Sequence, residues 1–159
     1  MMINPQTVDE FTLKIYGLVE KNLNLTLNDI KALPKVGLTF DFRCVEGWEI
    51  KDTQWQGARV RDLILLAKPL NNAKYVIFKS GNYTITLSLD KVIQDNVVLA
   101  YEYMGKPLIK EKGGPIRLVF PSQYCYESVK WLREIELTDI YREGTGKRIA
   151  LSRIGKNNA

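Results

Sequence analysis

The sequence predicts an α+β domain with a β-dominated core. Two observations carry that reading: most of the chain falls into short alternating or β-branched runs, and the helical patterns between them are brief. A third is the chain length of 159 residues, which suits one domain with a substantial core. The division expected is a short N-terminal segment 1–10, a folded body 11–138, and a basic tail 139–159 richer in Arg, Lys, Gly and Asn.

In order along the chain, Phe11 to Val19 alternates apolar and polar residues as a strand does, and Gly17 ends the run. Thr26 is an N-cap candidate for a helix through Leu33, which Pro34 stops. Val36 to Arg43 reads as a strand, and Trp48 to Trp55 as a second extended segment with Gln56-Gly57 as its turn. Apolar residues at 60, 63, 64, 66 and 67 mark one face of a helix closed by Pro69. Lys74 to Ser80 and Tyr83 to Leu89 flank Gly81-Asn82, a two-residue hairpin turn. A short helix follows from Ser88 or Asp90 to Ile93, then strands at Val97 to Tyr103, Ile116 to Phe120 and Val129 to Leu137. In the tail, Ile149, Leu151 and Ile154 are candidates for docking on the body.

Composition narrows the chemistry. Histidine is absent, which excludes Ser-His-Asp and Cys-His catalysis and zinc sites that use imidazole. Two cysteines, Cys44 and Cys125, are too few for a structural zinc site; Cys125 reads as a packing residue. The net charge of +5 permits an anionic ligand, but outside the tail the basic residues are dispersed, so no nucleic-acid partner is expected; the tail from Arg142 to Lys156 leaves that idea as the weakest alternative. No run reaches the ~18 apolar residues of a membrane helix. Neither does Met1 to Glu10 resemble a signal peptide, so the expected location is cytoplasmic.

Two stretches carry chemistry. In Phe40 to Trp48 a strand delivers Cys44, with Arg43 beside it and Glu46 two residues on. A neighbouring cation favours the thiolate, and thiolates are soft ligands for redox metals; the plain alternative is a small buried hydrophobe. Trp48, Trp55 and Trp131 read as core, and Tyr101 and Tyr103 as residues that could reach a pocket. The second stretch opens with Lys112-Gly113-Gly114-Pro115-Ile116-Arg117, a glycine-rich turn that lets backbone N–H groups approach an anion, followed by a guanidinium able to bind it with two hydrogen bonds. Ser128-Val129-Lys130 then supplies a hydroxyl, backbone donors and a cation within three residues, a phosphate-cradle pattern. Each piece alone is also what a surface turn looks like.

In this order and spacing, Arg43 to Trp48, Gly113 to Arg117 and Tyr126 to Trp131 resemble the molybdopterin-binding oxidoreductase domain of the sulfite oxidase superfamily. The resemblance runs from about Phe11 to about Thr138 and is closest to the catalytic subunit of the bacterial molybdenum-dependent methionine sulfoxide reductase. It implies a β-rich fold of that type, with the molybdenum cofactor, Mo-molybdopterin, as ligand. Cys44 would be the protein thiolate on molybdenum, with Glu46 and Arg43 near the metal. Ser80, Arg117, Ser128, Val129 and Lys130 would bind the cofactor. The implied reaction is two-electron oxygen-atom transfer on a small oxo-donor or acceptor substrate, with an external electron-transfer partner. Lys112 stands where the family carries an asparagine, and no counterpart of the larger members' N-terminal contacts, haem domain or dimerisation domain is expected from these 159 residues. The alternative is a non-catalytic molybdopterin-binding or interaction module that keeps the fold.

Overall fold

Side-chain alternation along ten strands builds two five-stranded sheets in the protein, seen in a computed structural model that describes residues 11–43, 47–121 and 127–158. The first sheet runs in the order β2 (Leu23–Thr26), β1 (Thr12–Gly17), β10 (Glu134–Thr138), β5 (Tyr75–Ser80) and β6 (Tyr83–Ser88). Only β1 and β10 pair in parallel; the remaining neighbours are antiparallel. The second sheet places β3 (Lys35–Arg43) beside β4 (Glu49–Arg59), and β4 beside β7 (Val98–Tyr103). On its other side β7 pairs with β8 (Lys106–Pro107) and with β9 (Arg117–Val119).

Both sheets give one face to the larger core, where Leu13, Ile15, Phe78, Leu99, Leu118 and Ile135 are fully buried with Leu63 and Ile64 of α2 (Val60–Ala67). Each such side chain contributes ~1.5–3 kcal/mol on leaving water. The second sheet also has a smaller cluster on its opposite face: Phe42, Trp55, Val98, Ala100, Leu108 and Val119. Period-2 geometry explains the split. Along β7, Leu99 and Tyr101 face the main core while Val98 and Ala100 face the smaller cluster. Along β9, Leu118 faces the main core, so Arg117 and Val119 point the other way.

Helix limits follow local signals. Thr26 caps α1 (Leu27–Lys31) through a reciprocal capping box with Asp29. Ser88 rather than Asp90 caps α3 (Leu89–Val92), accepting from the Lys91 amide. The hairpin at Gly81-Asn82 forms as expected, with Ser80 opposite Tyr83.

Three expectations about elements are corrected. Gln56-Gly57 is not a turn: β4 runs through it, and Gly57 lies at a register shift against β7, where a Cβ would stand 1.9 Å from the Leu99 carbonyl oxygen. The stretch from Val129 to Leu137 is a strand only from Glu134; before it, an irregular segment exchanges main-chain hydrogen bonds with Gly113, Ile116 and Leu118. The tail contains a helix, α4 (Thr145–Asn158), that rests on β6 through Thr145 and Gly146 and buries Ala150, whereas Ile149 and Leu151 are exposed.

Candidate cofactor site

Arg117 is the centre of the site. It begins β9 on the face of the smaller cluster and is buried, only 6% exposed. Its Nε and Nη2 both donate to the Ser128 hydroxyl, at 3.2 and 2.6 Å, and its Nη1 donates to the Lys112 carbonyl at 2.9 Å. Ser128 in turn donates to the Leu118 carbonyl at 2.9 Å, and the Leu118 amide donates to the Val129 carbonyl at 3.0 Å. The Ser128-Val129 step is thereby stitched to β9 on both its side chain and its backbone.

Beneath the guanidinium lies an aromatic bed. Arg117 Cζ sits 4.9 Å from the Trp55 ring centre and 5.5 Å from that of Phe42. Trp55 packs on its cross-strand neighbour Tyr103 at 4.5 Å, and Phe42 stacks on Trp48 at 6.2 Å. Planar guanidinium over aromatic faces is a favourable cation–π geometry that strengthens with desolvation. Phe42 lies on β3, so this bed joins the Arg117 cradle to the strand that precedes Cys44 in the sequence. The β3–β4 register shifts here, with Asp41 facing two residues of β4, Lys51 and Asp52, and the Asp41 carboxylate accepts from the Asp52 amide at 2.9 Å.

Two lysines complete the electrostatics. Gly113, with φ +99°, follows the short 3-10 turn Lys110–Lys112, and a Cβ there would lie 2.8 Å from Lys130 Cγ and 3.3 Å from Arg117 Cδ. Only glycine lets the backbone pass this close to both side chains. Burial pushes the Lys130 ammonium below its ordinary range, and the charges of Arg117 and Lys112 push it further. Burial likewise lowers Arg117 to about 10, which leaves it cationic at neutral pH. A cluster of cations that repel one another is suited to hold an anion.

Of the residues singled out from sequence, the structure brings together Arg117, Ser128, Val129 and Lys130. Ser80 ends β5 in the other sheet; the Arg133 amide donates to the Lys79 carbonyl at 3.0 Å, so the segment leaving Lys130 arrives next to it. Arg43 is exposed and paired with Glu49 at 3.0 Å. Cys44, Glu46 and Cys125 lie outside the described residues. The expectation that all three tryptophans are core is corrected: Trp55 is buried, but Trp48 is 47% and Trp131 41% exposed, the latter donating to the Lys110 carbonyl at 2.7 Å. The aromatic bed was missed from sequence, although the buried alternation Thr53, Trp55, Gly57 is the signal that would have exposed it.

Comparison with known proteins decides the family. Residues 2–145 match the model of the oxidoreductase molybdopterin-binding domain. The chain belongs to that family. Two relatives are similar over most of the chain: the uncharacterised oxidoreductase YuiH of Bacillus subtilis, 37% identical over 90% of this chain and 73% of its own length, and the protein-methionine-sulfoxide reductase catalytic subunit MsrP of Campylobacter jejuni, 32% identical over 89% of this chain. The match spans about half, 53%, of the MsrP sequence. Among solved structures, the sulfane dehydrogenase SoxCD of Paracoccus pantotrophus superposes with a TM-score of 0.78 at 24% identity, covering 93% of this chain and 41% of that one, so it shares the fold.

As a member of the molybdopterin-binding domain family, the chain is a β-rich molybdenum-cofactor oxidoreductase of the sulfite-oxidase-type fold. The described residues fit the organic part of that cofactor. A buried guanidinium that spends three of its five N–H donors on Ser128 and Lys112 keeps two for an anion, with Lys130 beside it. Among the described residues no group of three or more cysteine or acidic side chains could hold a metal ion. None of the described helices is long and apolar enough to cross a membrane.

Proposed function

We propose that this oxidoreductase catalyses two-electron oxygen-atom transfer on a small oxo-donor or acceptor substrate, with Cys44 as the protein thiolate on molybdenum. The observation that supports this most is the continuous path from the Arg117–Ser128–Lys130 cradle, across Trp55 and Phe42, to β3, whose last residue, Arg43, directly precedes Cys44 in the sequence. When bound, the cofactor supplies the metal that accepts or donates the electron pair. The chain's own residues do the rest. Arg117 and Lys130 hold the phosphorylated end of the cofactor, and Ser128 fixes the guanidinium in its plane. The Val129 carbonyl pins the segment to β9, so the cradle holds its shape before the ligand arrives. Glu46 and Arg43 are assigned to the substrate side, as proton carrier and anion-orienting group, and Ser80 to a further cofactor contact. Electrons would then leave or enter one at a time through an external redox protein.

Elemental analysis of protein from a molybdopterin-competent host tests the reading. About one molybdenum per chain is expected, and folded protein with molybdenum near zero would overturn it. Cys44→Ser should keep the fold while losing the metal–thiolate spectroscopic signal and turnover. Loaded protein that turns over no sulfite, sulfoxide or N-oxide with artificial electron carriers would instead favour a binding module without catalysis.

A further inference from the structure

One cation of the cluster, Lys112, has no part in the scheme above. Its backbone is already committed, because its carbonyl accepts from Arg117 Nη1 at 2.9 Å whatever the side chain is. The side chain therefore answers to a different requirement. Its Nζ sits 5.7 Å from the centre of the Tyr103 ring, and Tyr103 packs at 4.5 Å on Trp55, whose face carries Arg117 at 4.9 Å. The ammonium and the guanidinium thus occupy the two ends of one aromatic pair. The next residue, Gly113, threads its backbone against Lys130 and Arg117 so closely that no side chain fits. The side chains of Lys130 and Arg117 crowd this glycine and Lys112 directly precedes it; burial, and then the charges of Arg117 and Lys112, hold Lys130 less basic.

Such crowding of like charge is unfavourable in the empty fold, and it is the kind of cost that persists where a ligand compensates it. The plain account of Lys112 is a solvated lysine whose ammonium rests over the partly buried Tyr103 ring. That account leaves unexplained why the charge is placed where it opposes Lys130.

We propose that Lys112 is a third phosphate-binding cation, joining Arg117 and Lys130 around the phosphorylated end of the cofactor so that this chain grips a phosphate dianion with three charges. The proposal rests on the cradle reading given above. It makes Lys112 a positioning residue for the cofactor, with no contact to the reacting atoms.

The test is a titration of the cofactor-free full chain with inorganic phosphate, followed by calorimetry and by tryptophan fluorescence. Lys112→Asn should bind phosphate about fivefold more weakly, the upper range for one exposed ion pair. Lys112→Arg should bind as the wild type does, and Lys112→Gln, which keeps part of the stem, should lose as much as the asparagine variant. High salt should shrink the difference by screening. Wild-type affinity in Lys112→Asn and Lys112→Gln, with weakened binding in Lys130→Ala, would overturn the proposal while leaving the cradle standing. Absence of saturable phosphate binding in the wild type would sink the cradle and the third cation together.

Discussion

At the scale of single residues, the site is a balance of burial and charge around Arg117. A guanidinium that is 6% exposed is tolerated because a hydroxyl, a carbonyl and two aromatic faces receive it. Lys130 is less well compensated. Its basicity is lowered in the fold by burial first and then by Arg117 and Lys112, so its charged form opposes folding. That penalty is fully present below the lowered value and disappears as pH rises from there towards the ordinary 10.5. Cofactor-free Lys130→Gln should consequently melt at a higher temperature than the wild type at neutral pH, with the gain fading in alkaline buffer. Phosphate affinity should move the opposite way, falling in the variant and, in the wild type, falling with rising pH as Lys130 discharges. A variant whose melting temperature is unchanged at neutral pH would refute the charge-crowding account.

At the scale of elements, local signals were legible wherever a local cause sufficed. The Thr26 cap works because Thr26 and Asp29 bond each other's backbones within one turn. The helix Val60–Ala67 follows from its apolar spacing. Gly57 was read as a turn because glycine after glutamine looks like punctuation; its actual cause is a strand passing close to Leu99, far away in sequence. Gly57→Ala places a methyl 1.9 Å from a backbone oxygen that cannot swing aside, so it should cost about 3 kcal/mol or more, seen as a lower urea midpoint. An unchanged midpoint would mean that the β4–β7 bulge adapts freely. The stretch from Val129 to Arg133 misled for a related reason: Val129 and Leu132 are apolar because they are buried, and their backbones bond to Leu118 and Ile116 without forming a strand.

At the scale of the whole molecule, two sheets share one core, and the C-terminal helix closes onto β6. Its anchor is Thr145, whose hydroxyl accepts from the Thr84 amide at 2.9 Å and donates to the Asn82 carbonyl at 2.6 Å. Thr145→Val keeps the shape and removes both bonds. At ~1 kcal/mol each, the loss should be about 2 kcal/mol, with faster proteolysis within α4. Unaltered stability and cleavage would show that Gly146 and Ala150 hold the helix without help.

What the sequence by itself determined is the chemistry on offer and its bounds: no imidazole, a thiol after a strand-like run, a glycine-rich stretch before an arginine, and Ser-Val-Lys further on. Helix starts and the hairpin turn were also written there, because their causes span a few residues. Only the tertiary structure decided that Arg117 lies over Phe42 and Trp55, that Lys112 shares their aromatic bed, and that Ser80 stands in the other sheet. Those placements depend on β7 pairing with β4 on one side and β9 on the other. Register between strands so distant in sequence is set by which faces become buried together, a condition that no local pattern encodes.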